Sequence, residues 1–178
     1  MKNLKGTKTE QNLKDAFRGE SEARNKYTYF SSKAKKEGYV QISKIFEETA
    51  NNEKEHAKIW FKLLNKIGST EDNLKIAVDS EGYEAREMYP QFAQDAQEEG
   101  FNEIAKLFEE VAEIEAEHEK RYKKLLCNIK NEKVFNSDKE DYWICLNCGY
   151  VHKGKSAPEK CPACCHEQEY FAKRREDY

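Results

Sequence analysis

No stretch of the 178 residues approaches the ~18 consecutive apolar positions of a membrane-spanning helix. Residues 1–9 lack the apolar core of a secretory signal. With 37% charged residues and a mean hydropathy of −1.04, the chain reads as a soluble, cytoplasmic protein. Neither sign of charge dominates: the net charge is −3 with acids and bases interspersed, so neither nucleic acid nor membrane is an expected partner. Proline is scarce, with Pro90 the one example before residue 158, so little interrupts a helical pattern. Cysteine is nearly absent until residue 145. Only Cys127 precedes a cluster of five between Cys145 and Cys165, and in a reducing compartment that clustering favours a metal site over disulfides.

What fills the first 131 residues is helical periodicity. Residues 9–36 carry Leu13, Phe17, Glu20, Arg24, Tyr27, Ser31 and Ala34 at spacings of three and four. Residues 40–67 predict a second helix ending at Gly68. Residues 73–99 predict a third, capped by Asp72 or Thr70 and kinked or locally bulged at Pro90. Residues 102–131 predict a fourth. The halves repeat: Ala34 to Lys58 aligns with Ala96 to Lys120 at a constant offset of 62 residues. Upstream, Tyr27 and Phe30 match Tyr89 and Phe92. A duplicated helical hairpin predicts a four-helix bundle with pseudo-two-fold symmetry.

Within the repeat stand two Glu-x-x-His pairs, Glu53 with His56 and Glu115 with His118. Residues three apart share a helix face. The apolar residues in register with the first pair are Ile42, Ile45, Phe46, Thr49, Trp60, Leu63 and Ile67. Around the second are Ile104, Leu107, Phe108, Val111, Tyr122, Leu125 and Ile129. That face is expected to be buried. A core-facing carboxylate without a partner costs several kcal/mol, and doing so twice on matched faces calls for shared cations. A ferritin-like di-metal bundle draws one Glu from each of two helices and a Glu-x-x-His from each of the others. Glu20 and Glu81 supply the remaining acids, with Glu84 as an extra. The symmetry breaks here: the position 62 after Glu20 is Gly82, and Glu81 falls one residue early. Oxygen-rich ligation with one or two imidazoles suits iron or manganese better than structural zinc.

Residues 132–141 are polar and read as a linker. From residue 142 the composition turns to Cys, Gly, Pro and aromatics. Cys145 with Cys148 and Cys161 with Cys164 form two C-x2-C knuckles, a complete tetrahedral four-sulfur site for one metal ion, iron or zinc. Residues 142–178 are too few to hold together by burial alone. Cys165 lies outside the full ligand set, and His152 and His166 read as surface or hydrogen-bonded histidines.

These motifs together resemble the rubrerythrins. The resemblance rests on Ala16-Phe17-Arg18-Gly19-Glu20-Ser21, the duplicated Glu-x-x-His pairs, Glu87-Met88-Tyr89-Pro90, Cys148-Gly149-Tyr150-Val151-His152 and Ala157-Pro158-Glu159-Lys160-Cys161-Pro162. It implies a mainly α fold: a ferritin-like bundle over 1–131 and a small rubredoxin-like β/loop domain over 142–178. It implies a di-iron centre held by Glu20, Glu53, His56, Glu81, Glu84, Glu115 and His118, with Glu53 and Glu115 bridging and one iron shifting between Glu84 and His56. Tyr27 and Tyr89 line the same inner stripes and are expected near the metals, Tyr27 as a candidate catalytic residue. It implies a rubredoxin-type iron on Cys145, Cys148, Cys161 and Cys164. The implied activity is a peroxidase reducing hydrogen peroxide to water against oxidative stress. The implied partners are a second copy in a homodimer and an electron donor such as rubredoxin or a flavoprotein reductase. Other readings of the same residues are a ferroxidase or iron-storage protein, an oxygen reductase, and a manganese catalase-like enzyme whose knuckles hold zinc. Cys165, and the absence of a proline after His166, depart from the family pattern.

Overall fold

A computed structural model describes residues 3–175, so the outermost ends of the two expected domains, residues 1–2 and 176–178, lie outside the described residues. The chain is mainly α: two helical hairpins of the ferritin-like kind, then a small antiparallel sheet. Its contacts divide it into two compact units, Met1–Gly68 and Ser69–Tyr178. Among the described residues, no helix is long and apolar enough to cross a membrane.

The first unit is a hairpin of α1 (Lys8–Lys36) and α2 (Val40–Leu63). Thr7 caps α1 by accepting the Glu10 N–H, and Gly38, at φ 86°, turns the chain at its end. The seam of α2 is made of small residues, with Ser43, Ala50 and Ala57 buried. Small side chains at seven-residue spacing let two helices approach closely, and the Ser31 hydroxyl bonds to Ser43 across the seam. Phe17 stacks on Phe61, and Tyr27, Phe30 and Phe46 form an aromatic group. The second helix ends at Leu63 and not at the expected Gly68. Asn65 adopts φ 54°, its N–H bonds to Lys62 O, and the Lys66 N–H reaches Phe61 O. An asparagine tolerates the left-handed conformation that closes a helix this way, which leaves Ile67 beyond the helix.

The second unit begins with α3 (Thr70–Tyr83), capped by Ser69 and not by Thr70 or Asp72. It continues through a π turn, Glu84–Met88, into α4 (Tyr89–Glu98), and returns as α5 (Asn102–Lys130). The third expected helix is thus one helical path interrupted by the π turn. The bulge lies upstream of Pro90, and the repeat explains its place. Glu20 and Tyr27 are seven residues apart, whereas Glu81 and Tyr89 are eight apart. One inserted residue in a helix is absorbed as a π turn. Beyond it the repeat resumes, and Tyr89, Phe92 and Phe108 rebuild the aromatic group of the first hairpin.

The apolar stripes expected to be buried are only partly so. Ile42, Ile45, Leu63 and Ile67 are each about half exposed, as are Ile104, Leu107 and Leu125. Periodicity identifies an apolar face, but each hairpin buries its seam of small residues first.

The expected linker, 132–141, is partly strand. β1 (Asn136–Cys145) pairs antiparallel with β2 (Val151–Ser156) on one side and β3 (Phe171–Lys173) on the other. The polar residues 136–141 belong to an edge-like extension of β1, tied by Lys133–Asp138 and Lys173–Asp141 ion pairs. Trp143, Cys145, Ala157, Cys161 and Phe171 make the small core, and the Trp143 indole donates to Gly154 O at 3.0 Å.

Candidate metal centres

The hairpin geometry gathers Glu20 from α1 with Glu53 and His56 from α2, with one ligand atom from each within 4.8 Å of the others. His56 Nδ1 stands 2.9 Å from Glu53 Oε2 and 3.8 Å from Glu20 Oε2. The second unit repeats the arrangement with Glu81 from α3 and Glu115 and His118 from α5. There His118 Nδ1 stands 2.7 Å from Glu115 Oε2 and 3.2 Å from Glu81 Oε2. The one-residue offset at Glu81 therefore does not remove it from the group. The π turn restores its alignment.

The carboxylates of each group stand close enough to shift one another. Glu20 is raised above its ordinary value by a hydrogen bond shared with Glu53, and desolvation adds to the rise. Glu53 is lowered by that same hydrogen bond and then by His56. Glu81 is raised first by burial and then by its hydrogen bond with Glu115, while His118 opposes the rise. The buried Trp60 indole N–H lies close enough to Glu20 to oppose the rise in that carboxyl. Two carboxylates and an imidazole in each group form a donor set suited to iron or manganese.

Glu84 and Tyr27 are not among the gathered groups. Glu84 sits on the π turn. Tyr27 packs 6.3 Å from Phe30 and 6.1 Å from Phe46. The tyrosine that senses the acids is Tyr89, raised by burial and then by Glu84 and Glu115. A contact absent from the sequence reading is the ion pair of Arg86 with Glu119, which puts a glutamate in the seam of the second hairpin. The available signal was the repeat itself, which aligns Glu119 with the buried Ala57.

At the far end of the chain the four cysteines converge, with Sγ atoms all within 4.8 Å. Cys145 and Cys164 are 3.7 Å apart, and Cys148 and Cys161 are 3.6 Å apart. A tetrahedron with metal–sulfur bonds of ~2.3 Å has edges of about 3.8 Å, so the thiols fit a single ion. The backbone N–H of His166 holds the Cys164 thiol down to about 5. The knuckles share one design. Gly149, at φ 78°, donates its N–H to Cys145 O at 2.8 Å, and Cys165, at φ 59°, donates to Cys161 O at 2.9 Å. Cys165 is therefore a turn residue in the place a glycine holds in the first knuckle. His166 packs on Tyr170.

Two Glu-Glu-His groups on duplicated helical hairpins, followed by a four-cysteine knuckle site on a small sheet, define a class: ferritin-like carboxylate proteins with a rubredoxin-like tail. The rubrerythrin family profile matches residues 11–126 and again 72–143, the second match mirroring the internal repeat, and a profile described as "Rubrerythrin, rubredoxin-like domain" matches 143–172. The chain belongs to the rubrerythrin family. It is 49% identical to Rubrerythrin-1 of Clostridium acetobutylicum across the whole of both chains. It is 48% identical to the rubrerythrin of Porphyromonas gingivalis over 99% of this chain and 95% of that one. To the rubrerythrin of Nitratidesulfovibrio vulgaris it is 48% identical over 96% of each.

Proposed function

We propose that the chain is a non-haem di-iron peroxidase that reduces hydrogen peroxide to water, with electrons arriving through a rubredoxin-type iron. The observation that carries this reading is the pairing, on one chain, of two Glu-Glu-His groups with a four-sulfur site. Storage or ferroxidase chemistry has no need of a one-electron sulfur relay, whereas peroxide reduction does. Cleavage of the O–O bond takes two electrons and two protons and yields two waters. Ferrous ions in the carboxylate groups would supply the two electrons together, and the sulfur-held iron would pass replacements one at a time.

The chain's own residues have distinct tasks. Glu20, Glu53 and His56 would hold iron in the first group and Glu81, Glu115 and His118 in the second, with Glu84 a further ligand. The raised Glu20 and Glu81 carboxyls would give up protons to solvent as a cation binds beside them. Cys145, Cys148, Cys161 and Cys164 would hold the relay iron. Homodimerisation is supported by the half-exposed apolar stripes through Ile45, Leu63, Leu107 and Leu125. A small redox carrier, rubredoxin or a flavoprotein reductase, would donate the electrons, in the cytoplasm.

The deciding experiment mixes the reduced protein anaerobically with hydrogen peroxide and follows the visible bands of the ferric sulfur site by stopped flow. Rapid return of those bands with peroxide, and much slower return with dioxygen, is the expected result. Faster return with dioxygen would make the chain an oxygen reductase. If the bands never form in the iron-loaded protein, the relay is lost.

A further inference from the structure

The two hairpins differ in charge at one seam position. In the first, the buried seam residues of α2 are Ser43, Ala50 and Ala57. Their equivalents in α5, each 62 residues on, are Ala105, Ala112 and Glu119. A glutamate stands where the design calls for alanine, and its side chain is only 9% exposed. Its room comes from Gly82 on α3: a Cβ there would overlap both Glu119 Oε1 and Arg86 Nη2. Glycine weakens a helix interior, so this one is explained by the space it leaves. Arg86 fills that space from the π turn. Its Nη1 donates to Glu119 Oε2 at 2.8 Å and its Nη2 to Oε1 at 2.9 Å. Lys123 Nζ stands 2.9 Å from Oε1. A two-pronged guanidinium–carboxylate bond fixes orientation as well as distance.

The placement is the telling part. Gly82 follows Glu81, Arg86 lies two residues after Glu84, and Glu119 follows His118. π turns are rare and persist where something holds them. Were this one to relax into α-helix, the residues on its two sides would rotate relative to one another by ~100°, the angle one residue subtends. The Glu81 carboxyl would then leave the face shared with Glu115 and His118.

We propose that Gly82, Arg86 and Glu119 form a positioning clamp that locks the π turn against α5 and thereby sets where the Glu81 and Glu84 carboxylates stand. The clamp rests on the reading of Glu81, Glu84, Glu115 and His118 as metal ligands. It binds no metal itself. The first hairpin has no equivalent, since Ala57 occupies the matching position, so the clamp also makes the two ligand groups inequivalent.

The test uses the full chain, stripped of metal and titrated with cobalt(II), whose visible spectrum separates carboxylate–imidazole from thiolate coordination. Arg86→Leu and Glu119→Gln are expected to lower cobalt affinity outside the thiolate site at least tenfold and to change its d–d bands. Arg86→Lys, which keeps the charge without the fork, is expected to fall between. Ala96→Gly, which loosens the α4 seam away from the clamp, controls for lost stability and is expected to lower the melting temperature with the cobalt spectrum unchanged. Wild-type affinity and spectrum in Arg86→Leu and Glu119→Gln would overturn the clamp and leave the ligand reading standing. An equal spectral change in Ala96→Gly would overturn it too. If the wild-type chain takes up no cobalt outside the thiolates, the ligand reading fails and the clamp with it.

Discussion

At the scale of single residues, the acids of the two ligand groups set opposite pH responses from the clamp. In the metal-free chain the folded values of Glu20 and Glu81 lie above the ordinary 4.5. Each therefore adds stability that is fully present below 4.5 and lost as pH rises through its raised value. A cation competes with protons on these two carboxyls, so metal affinity should weaken as pH falls through those raised values. Cobalt titrations at stepped pH, with proton release followed in weak buffer, read this directly. Glu119 runs the other way. Arg86, then Lys123, hold its carboxyl at about 2, so its contribution is present above 4.5 and lost as pH falls toward about 2. Glu119→Gln should flatten that part of the acid-unfolding curve, as measured by far-ultraviolet circular dichroism. Cys165 gives a third test. A non-glycine residue in the left-handed region costs about 1 kcal/mol. Cys165→Gly should therefore stabilise the sulfur site by up to ~1 kcal/mol, seen as a higher urea midpoint for loss of its visible bands, with the bands themselves unmoved.

At the scale of elements, the π turn is the feature that positions the site. Deleting Ala85 removes the extra residue and should turn Glu84–Met88 into ordinary helix. Helix content by circular dichroism should be retained, while metal uptake at the Glu81 group falls at least tenfold. This turn shows where sequence pattern stops. The pairs Glu53–His56 and Glu115–His118 were readable because spacing alone puts them on one face, and the cysteine knuckles were readable because four thiols at that spacing have few other uses. The early acid at Glu81 was visible as a broken repeat, and Pro90 suggested a bulge. The Arg86–Glu119 contact beside it joins residues 33 apart in sequence, which no local pattern encodes. The end of α2 was misplaced for a related reason: Asn65 takes a backbone conformation usually given to glycine, so the obvious stop at Gly68 was not the one used. Exposure was equally hidden at Ile45 and Leu107, because period identifies an apolar face without naming what covers it.

At the scale of the whole molecule, the two kinds of site should respond differently to metal loss. Two of the five buried residues in the sheet's core, Cys145 and Cys161, are themselves candidate ligands. A chelator should unfold β1–β3, seen as lost dispersion of the Trp143 indole resonance, while the helical signal at 222 nm changes little. The buried small residues of the hairpin seams, Ser43, Ala50, Ala57 and Ala105, are not among the candidate ligands. The proposed homodimer is checked by sedimentation: Leu107→Asp and Ile45→Asp, each on a half-exposed apolar stripe, should shift the chain toward smaller species.

The arrangement of the six cysteines has one more use. Four converge on one point, and the other two, Cys127 and Cys165, are exposed and outside that group. A chromogenic alkylating reagent applied to the native protein should therefore count two reactive thiols when the knuckles hold an ion and six when they are empty. Any value between measures fractional occupancy. The six cysteines thus supply a gauge of how full the four-sulfur site is, whichever metal fills it.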